Sequence, residues 1–327
     1  MPAAWQSQFR GISGWMHGAP DSGGWQNPVR GALGLRAAWC RAVARMTGES
    51  SDPLHTLVMT SHPFDQAIAL TASGASTFTG ATSPAYANMV GPYGGITAAT
   101  ALNAVMQHPD LLGEPVSLTV NFCAAVADGP FEVQAVPVRT NRSTQHWTIA
   151  ITQCDETVVT ATALTAVRRD TWAAVEHTMP EVPSPADVPL PKARGRVEWI
   201  NRYEMRFVEG GFPGVWDERD HGHSRTRQWV RDQPPRPLDF ASLTAMADVF
   251  SPRIWHRRAK FVPLGTVSIT VYFHASQALL TANGDAHLLG QAQGQAFGQG
   301  FFDHSAQLWN QAGVLLATSH QVVYFKE

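Results

Sequence analysis

Val116-Ser117-Leu118-Thr119-Val120-Asn121-Phe122 alternates apolar and polar residues, the two-residue period of a strand with one face buried. The same pattern returns at Val267-Ser268-Ile269-Thr270-Val271-Tyr272-Phe273, an offset of 151 positions (267 − 116). Five of the seven positions are identical and a sixth exchanges Leu for Ile. Further on, Val158-Val159-Thr160-Ala161-Thr162 lines up with Leu315-Leu316-Ala317-Thr318-Ser319 at an offset of 157 (315 − 158), so a loop of the second copy gains about six residues. One such match is what any half-buried strand produces, because Val and Thr suit a pleated surface. Two matches in the same order, each behind a helical segment, make a duplicated unit the better account.

In the first copy the helix is Ile96 to Met106, alanine-rich, entered through Gly94-Gly95 and ended near Pro109. Phe131 to Val138, Trp147 to Gln153 and Val158 to Val167 supply three more strands. The unit is therefore one helix followed by four strands. In the second copy, Ser242 to Phe250 reads as the helix, with Leu243, Met246, Ala247 and Phe250 on one side. Between the copies, residues 179–195 carry Pro180, Pro183, Pro185, Pro189 and Pro191, a semi-rigid linker. The expected organisation is an irregular extension over residues 1–60, repeats over 61–178 and 196–327, and this seam. Met59 opens a natural-looking start, so the first 58 residues read either as an upstream-start artefact or as a tail packed on a neighbour.

A chain of 327 residues fits two such cores. Its charged share is 15%, below the usual value of about 25%, which points to sheltered surface and a homodimer or higher homo-oligomer. A net charge of −2 gives no long-range pull on a polyanion and argues against a nucleic-acid partner. No apolar run reaches the ~18 residues of a membrane span, so no membrane partner is expected. Three cysteines without CxxC spacing indicate neither a zinc ribbon nor a disulfide framework, and the cytoplasm is the simplest location.

A helix wrapped by an antiparallel sheet, duplicated in one chain, resembles the double hotdog arrangement, an α+β fold. The residues resemble the acyl-CoA thioesterase II family over about residues 62–327. Tyr93-Gly94-Gly95 and the helix behind it resemble that family's glycine-led first helix. Ala245-Met246-Ala247-Asp248 resembles the second helix with its catalytic Asp. Thr266 sits where the family has a catalytic Thr, and Gly313 to Gln321 resembles the final strand carrying a Gln. The resemblance implies an acyl-CoA thioesterase whose catalytic residues are Asp248, Thr266 and Gln321. The strand after Thr266 departs from the family, which commonly has a more polar run with a His, and this leaves the preferred acyl chain open.

The repeat offers an argument of its own. Its offsets put Thr266 opposite Pro115 (266 − 151), Gln321 opposite Leu164 (321 − 157) and, counting back 18 residues, Asp248 opposite about Thr97. Polar groups kept in one copy only suggest a single chemical site per chain. Thioester hydrolysis needs an activated water and donors for the developing oxyanion. A carboxylate can take the water's proton, a Thr hydroxyl and a Gln amide can hold that water, and Gly94-Gly95 allows a carbonyl to approach helix N–H groups. Tyr93, Gly94 and Gly95 are thus expected at the substrate. Arg257 and Arg258 suit the phosphates of coenzyme A, although a solvated basic loop fits the same residues. Arg142 and Ser143, in a turn between strands, are candidates for its nucleotide end.

His221 and His223 lie in a charged loop, so no metal is expected, and no redox cofactor either. Two other readings stay open. A hotdog enoyl-CoA hydratase or dehydratase needs a His paired with a carboxylate, for which His274 and His320 are near the right strands. A non-catalytic acyl-CoA binding protein needs only the fold.

Overall fold

The computed structural model describes residues 61–192 and 197–327. The expectations for residues 1–60, the Met59 start among them, and for the end of the Pro-rich segment fall outside the described residues. In the first repeat, α1 (Pro63–Ala67), β1 (Thr71–Ala72) and β2 (Thr77–Ala81) precede helix α2 (Gly94–Met106). Strands β3 (Glu114–Phe122), β4 (Pro130–Thr140), β5 (Thr144–Gln153) and β6 (Glu156–Ala166) follow it. In the second, β7 (Tyr203–Glu209) and β8 (Thr226–Asp232) precede α3 (Phe240–Met246) and α4 (Arg253–Arg258). Then come β9 (Leu264–Phe273), α5 (Gln277–Asn283), β10 (Leu288–Gln293), β11 (Phe297–Gly298), β12 (Phe301–Trp309) and β13 (Leu315–Phe325). The strands ahead of each helix escaped the one-helix, four-strand reading of the sequence.

The sheet runs β1-β2-β4-β5-β6-β3-β9-β13-β12-β10-β8-β7. Read from its middle outward, both halves follow the same plan, with β3 and β9 meeting as antiparallel neighbours. Thr119 pairs with Thr270 there, and their hydroxyls lie 3.0 Å apart. These two residues are separated by the repeat offset itself (270 − 119 = 151). A residue that faces its own copy marks a local two-fold axis, as in an isologous dimer. The chain is a double hotdog.

Each half wraps a helix. Ala98, Ala99, Ala101, Leu102, Ala104 and Val105 of α2 are all buried, as is every residue of α3. A helix apolar on all sides needs protein on all sides, and the sheet and the facing helix provide it. Asp239 caps α3 by accepting from the Ser242 N–H at 2.8 Å. That helix ends at Met246, short of the Phe250 expected, because the Asp248 N–H turns back to the Ala245 carbonyl at 3.1 Å. Pro252 then disfavours helix at Ser251.

The Pro-rich segment is docked on the second repeat. Trp229 Nε1 donates to the Pro183 carbonyl at 2.9 Å, and Val188 is buried with Trp229, Leu289 and Trp309 on the face of the sheet away from the helices. The spacer expected from composition is thus held by its own apolar contacts.

Candidate active site

Asp248 stands in the turn immediately after α3, at the N-terminus of α2. Three side chains fix that turn. Tyr93 Oη donates to the Ala245 carbonyl at 2.6 Å, Ser319 Oγ to the Ala247 carbonyl at 3.1 Å, and Gln321 Nε2 to Asp248 Oδ1 at 2.8 Å. The backbone N–H of Gly95 donates to the carboxylate as well. A Cβ on Gly94 would lie 2.9 Å from Asp248 Oδ2, and one on Gly95 would strike the Tyr93 ring at 2.6 Å. The glycine pair is therefore what lets the helix end reach the carboxylate. The residue as a whole keeps partial exposure. Burial pushes its pKa up to about 7, against the Gln321 and Gly95 hydrogen bonds, which favour the ionised form.

Gln321 is buried on the helix-facing side of β13 and pairs with Ile269 of β9. Three positions separate Thr266 from Ile269, an odd number that would turn their side chains to opposite faces. A bulge between Val322 and Val323 corrects this: Ser268 pairs with Val322, and Thr266 with Val323. Thr266 thereby faces the same side as Gln321. It makes no side-chain hydrogen bond among the described residues. The first repeat carries the same bulge, with Pro115 paired to Thr165 and Ser117 to Leu164. Thr266 and Pro115 are structural equivalents.

Two of the expected equivalences shift. Val322 and Leu164 both pair with copies of one residue, Ser268 and Ser117, so the final strands are offset by 158 (322 − 164). Gln321 therefore stands opposite Ala163, buried like it, and not Leu164. The helices start 146 positions apart (240 − 94), five fewer than the strands that follow, because the second helix breaks off at Met246 and the chain reaches β9 through α4, whereas α2 runs on to Met106. On that count Asp248 falls opposite Leu102 and not Thr97. The asymmetry survives both corrections: Asp, Thr and Gln in one copy face Leu, Pro and Ala in the other.

Two family models match this chain: an acyl-CoA thioesterase N-terminal domain over residues 83–166 and an acyl-CoA thioesterase C-terminal domain over residues 177–325. The chain belongs to the acyl-CoA thioesterase family. A solved protein of unknown function with a hot dog fold from Alicyclobacillus acidocaldarius is 47% identical, covering 82% of this chain and 99% of that one, with a TM-score of 0.77. A tesB protein of Mycobacterium avium subs paratuberculosis is 21% identical over 81% of this chain and 98% of its own, with a TM-score of 0.64. An acyl-CoA thioesterase II, TesB2, from Mycobacterium marinum is 16% identical over 80% and 98%, with a TM-score of 0.63. These last two support the fold. No curated protein matches the chain.

The remaining candidates in this thioesterase separate by position. Tyr93 is buried, stacks on Trp199 at 4.2 Å between ring centres, and spends its hydroxyl on Ala245, so it braces the turn instead of facing substrate. Arg257 and Arg258 line a cavity of about 670 Å³ with Ser224, Ile254, Gln293 and Gly298, and pair with Asp220 and Glu327 at 2.9 and 2.8 Å. Arg142 and Ser143 lie at the wrong end of the sheet. Their hairpin adjoins Ala166, which pairs with Glu114, whereas Gly94 and Asp248 lie by Phe122 at the other end of β3. That strand is nine residues, roughly 26 Å over eight rises of ~3.3 Å. Their structural counterparts in the second repeat, near Gly298 and Gly300, are the ones beside Arg257.

His274 and His320 are both exposed. His320 pairs with Asp303 at 3.1 Å on the face away from the helices, so the histidine–carboxylate pair of the hydratase reading is not in the site. Among the described residues no group of three or more His, Cys, Asp or Glu is placed to hold a metal ion. No helix there is long and apolar enough to cross a membrane. Sequence reasoning missed Ser319 and His304, which face the site from β13 and β12. Parity with Gln321 was a usable signal for Ser319, two residues earlier on the same strand.

Proposed function

We propose that this thioesterase cleaves acyl-CoA to a free carboxylic acid and coenzyme A, using a water activated by Asp248. The ionised carboxylate takes a proton from the water as its oxygen attacks the thioester carbonyl. The carbon–sulfur bond then breaks and coenzyme A leaves as the thiolate. Gln321 spends one amide hydrogen on Asp248, which leaves its carbonyl oxygen to accept from the water. The Thr266 hydroxyl, on the same face, is the second group available to orient it. No covalent intermediate with the protein is needed.

Donors for the oxyanion come from the first turn of α2, whose N–H groups have no partner within the helix. Gly95 spends its own on Asp248, so Gly94 and Ile96 are the free donors. Arg257 and Arg258 take the coenzyme A phosphates in exchange for their carboxylate partners. The observation that carries this reading is the 2.8 Å bond from Gln321 to a carboxylate held near neutral pKa at a helix N-terminus, present in one repeat only.

The test is release of free thiol from a panel of acyl-CoAs by the wild type and Asp248→Ala. Hydrolysis lost in the variant, with its fold intact by thermal melting, is the expected result. No thiol from any chain length overturns the thioesterase assignment, and equal rates in both proteins overturn the base.

A further inference from the structure

The two repeats differ at a fourth inward position. His304 of β12 pairs with Gln321, while Trp147 of β5 pairs with Ala163, so His304 and Trp147 are equivalents, 157 positions apart. In the first repeat the Trp147 indole is fully buried, donates to Thr165 Oγ1 at 3.2 Å and packs edge-on against His108. It fills its site with every polar atom satisfied. His304 differs in leaving a polar atom unsatisfied. It is 2% exposed, and its Nε2 is buried with no hydrogen-bond partner among the described residues.

A buried polar atom left unpaired destabilises the fold, so its retention calls for an explanation. Directly opposed residues on one face of a sheet have Cβ atoms about 5 Å apart. The imidazole therefore starts one strand away from the amide that holds Asp248. Phe250, two residues past Asp248, packs edge-on against the imidazole at 5.5 Å between ring centres. The charged groups that act on it are Arg253, His320 and His256. Arg253 is fully buried, with acceptors only from the Ser224, Ser251 and Ala292 carbonyls and Thr226 Oγ1. Burial, with the Arg253 charge beside it, holds His304 in its neutral form, which offers one donor and one acceptor.

We propose that His304 is a specificity-determining residue whose Nε2 hydrogen-bonds an oxygen on the acyl chain, a hydroxyl or carbonyl close to the thioester. The inference rests on the thioesterase reading and narrows it to oxygenated acyl groups. A site built to bond a substrate oxygen discriminates strongly against the analogue lacking it, because the unsatisfied protein atom stays buried in that complex.

The experiment compares kcat/KM for butyryl-, 3-hydroxybutyryl- and 3-oxobutyryl-CoA in the wild type, His304→Phe and His304→Gln. The wild type should prefer at least one oxygenated substrate by roughly tenfold or more. His304→Phe should bring the ratio of oxygenated to butyryl substrate towards one, and His304→Gln, which keeps a hydrogen-bonding group, should retain part of the preference. A ratio near one in the wild type overturns the inference. An unchanged preference in His304→Phe overturns it equally, and if that variant fails to fold, a preference undiminished in His304→Gln overturns it instead. Absence of hydrolysis across the whole acyl-CoA panel of the preceding test speaks against the thioesterase reading itself, and where that panel excludes four-carbon chains the same comparison is made with the 3-hydroxy and 3-oxo forms of the chain length it selects, so the two failures are distinguishable.

Discussion

The same fold appears twice in this chain and is finished in two different ways. The first repeat places Leu102, Pro115, Trp147 and Ala163 where the second places Asp248, Thr266, His304 and Gln321. One set packs, as interiors do. The other converges on a half-buried carboxylate with a pKa raised to about 7. The division of labour goes further, because the first repeat also lends the second its glycine pair and the end of α2. Duplication thus provides a spare copy whose helix N-terminus serves the site while its own site is filled in.

The comparison breaks most visibly at Asp248. Asp248→Asn should lower kcat for thiol release by roughly a thousandfold, the scale of a lost general base. Gln321→Ala, which installs the residue of the silent copy, should cost roughly a hundredfold, the scale of one lost preorganised donor. The wild type should lose a similar factor on acidification. A base with a pKa of about 7 is protonated below it, so kcat/KM should fall about tenfold per unit from pH 7 towards pH 5.

Smaller effects sharpen the picture. Thr266→Val keeps the bulge and removes the hydroxyl, for an expected loss of about tenfold measured by the same assay. Asp248→Asn should also gain stability over the wild type as pH rises. The folded-state pKa is raised above the unfolded one, so the wild-type carboxyl contributes fully below about pH 4 and loses that contribution as pH rises through about 7. Thermal melts across this window should separate the two proteins by on the order of 4 kcal/mol at the neutral end, about 1.4 kcal/mol for each of the roughly three pH units between the two values. Arg142→Ala, at the far end of the sheet, should leave kcat and KM within about twofold, whereas Arg257→Ala should raise KM several-fold.

Much of this was legible because β3 and β9 carry almost the same heptapeptide, and the 151-residue offset between them reappears as the Thr119–Thr270 pair on the local axis. The last strand was less legible. Its Val–Thr alternation matches as well at 157 as at 158, and the one-residue slip exchanges the inward Ala163 for the outward-leaning Leu164. Counting back along the chain failed at Asp248 because the second copy breaks its helix and takes a longer path through α4 to the strand, and no periodicity announces a six-residue helix. Arg142 and Ser143 were read as near the ligand from their hairpin alone, yet a hairpin does not reveal which end of the sheet it occupies. His304 was invisible for a related reason: its meaning depends on a cross-strand partner seventeen residues later (321 − 304) and on a tryptophan in the other copy.

The central claim is that one chain holds one acyl-CoA site, in its second repeat. Calorimetric titration with a non-hydrolysable thioether analogue of acyl-CoA counts the sites directly. The account predicts one analogue bound per chain, with binding lost in a variant that blocks the Gly94–Asp248 approach, Gly94→Val, and retained in Leu102→Met. Two analogues bound per chain, or binding untouched by Gly94→Val, would contradict it.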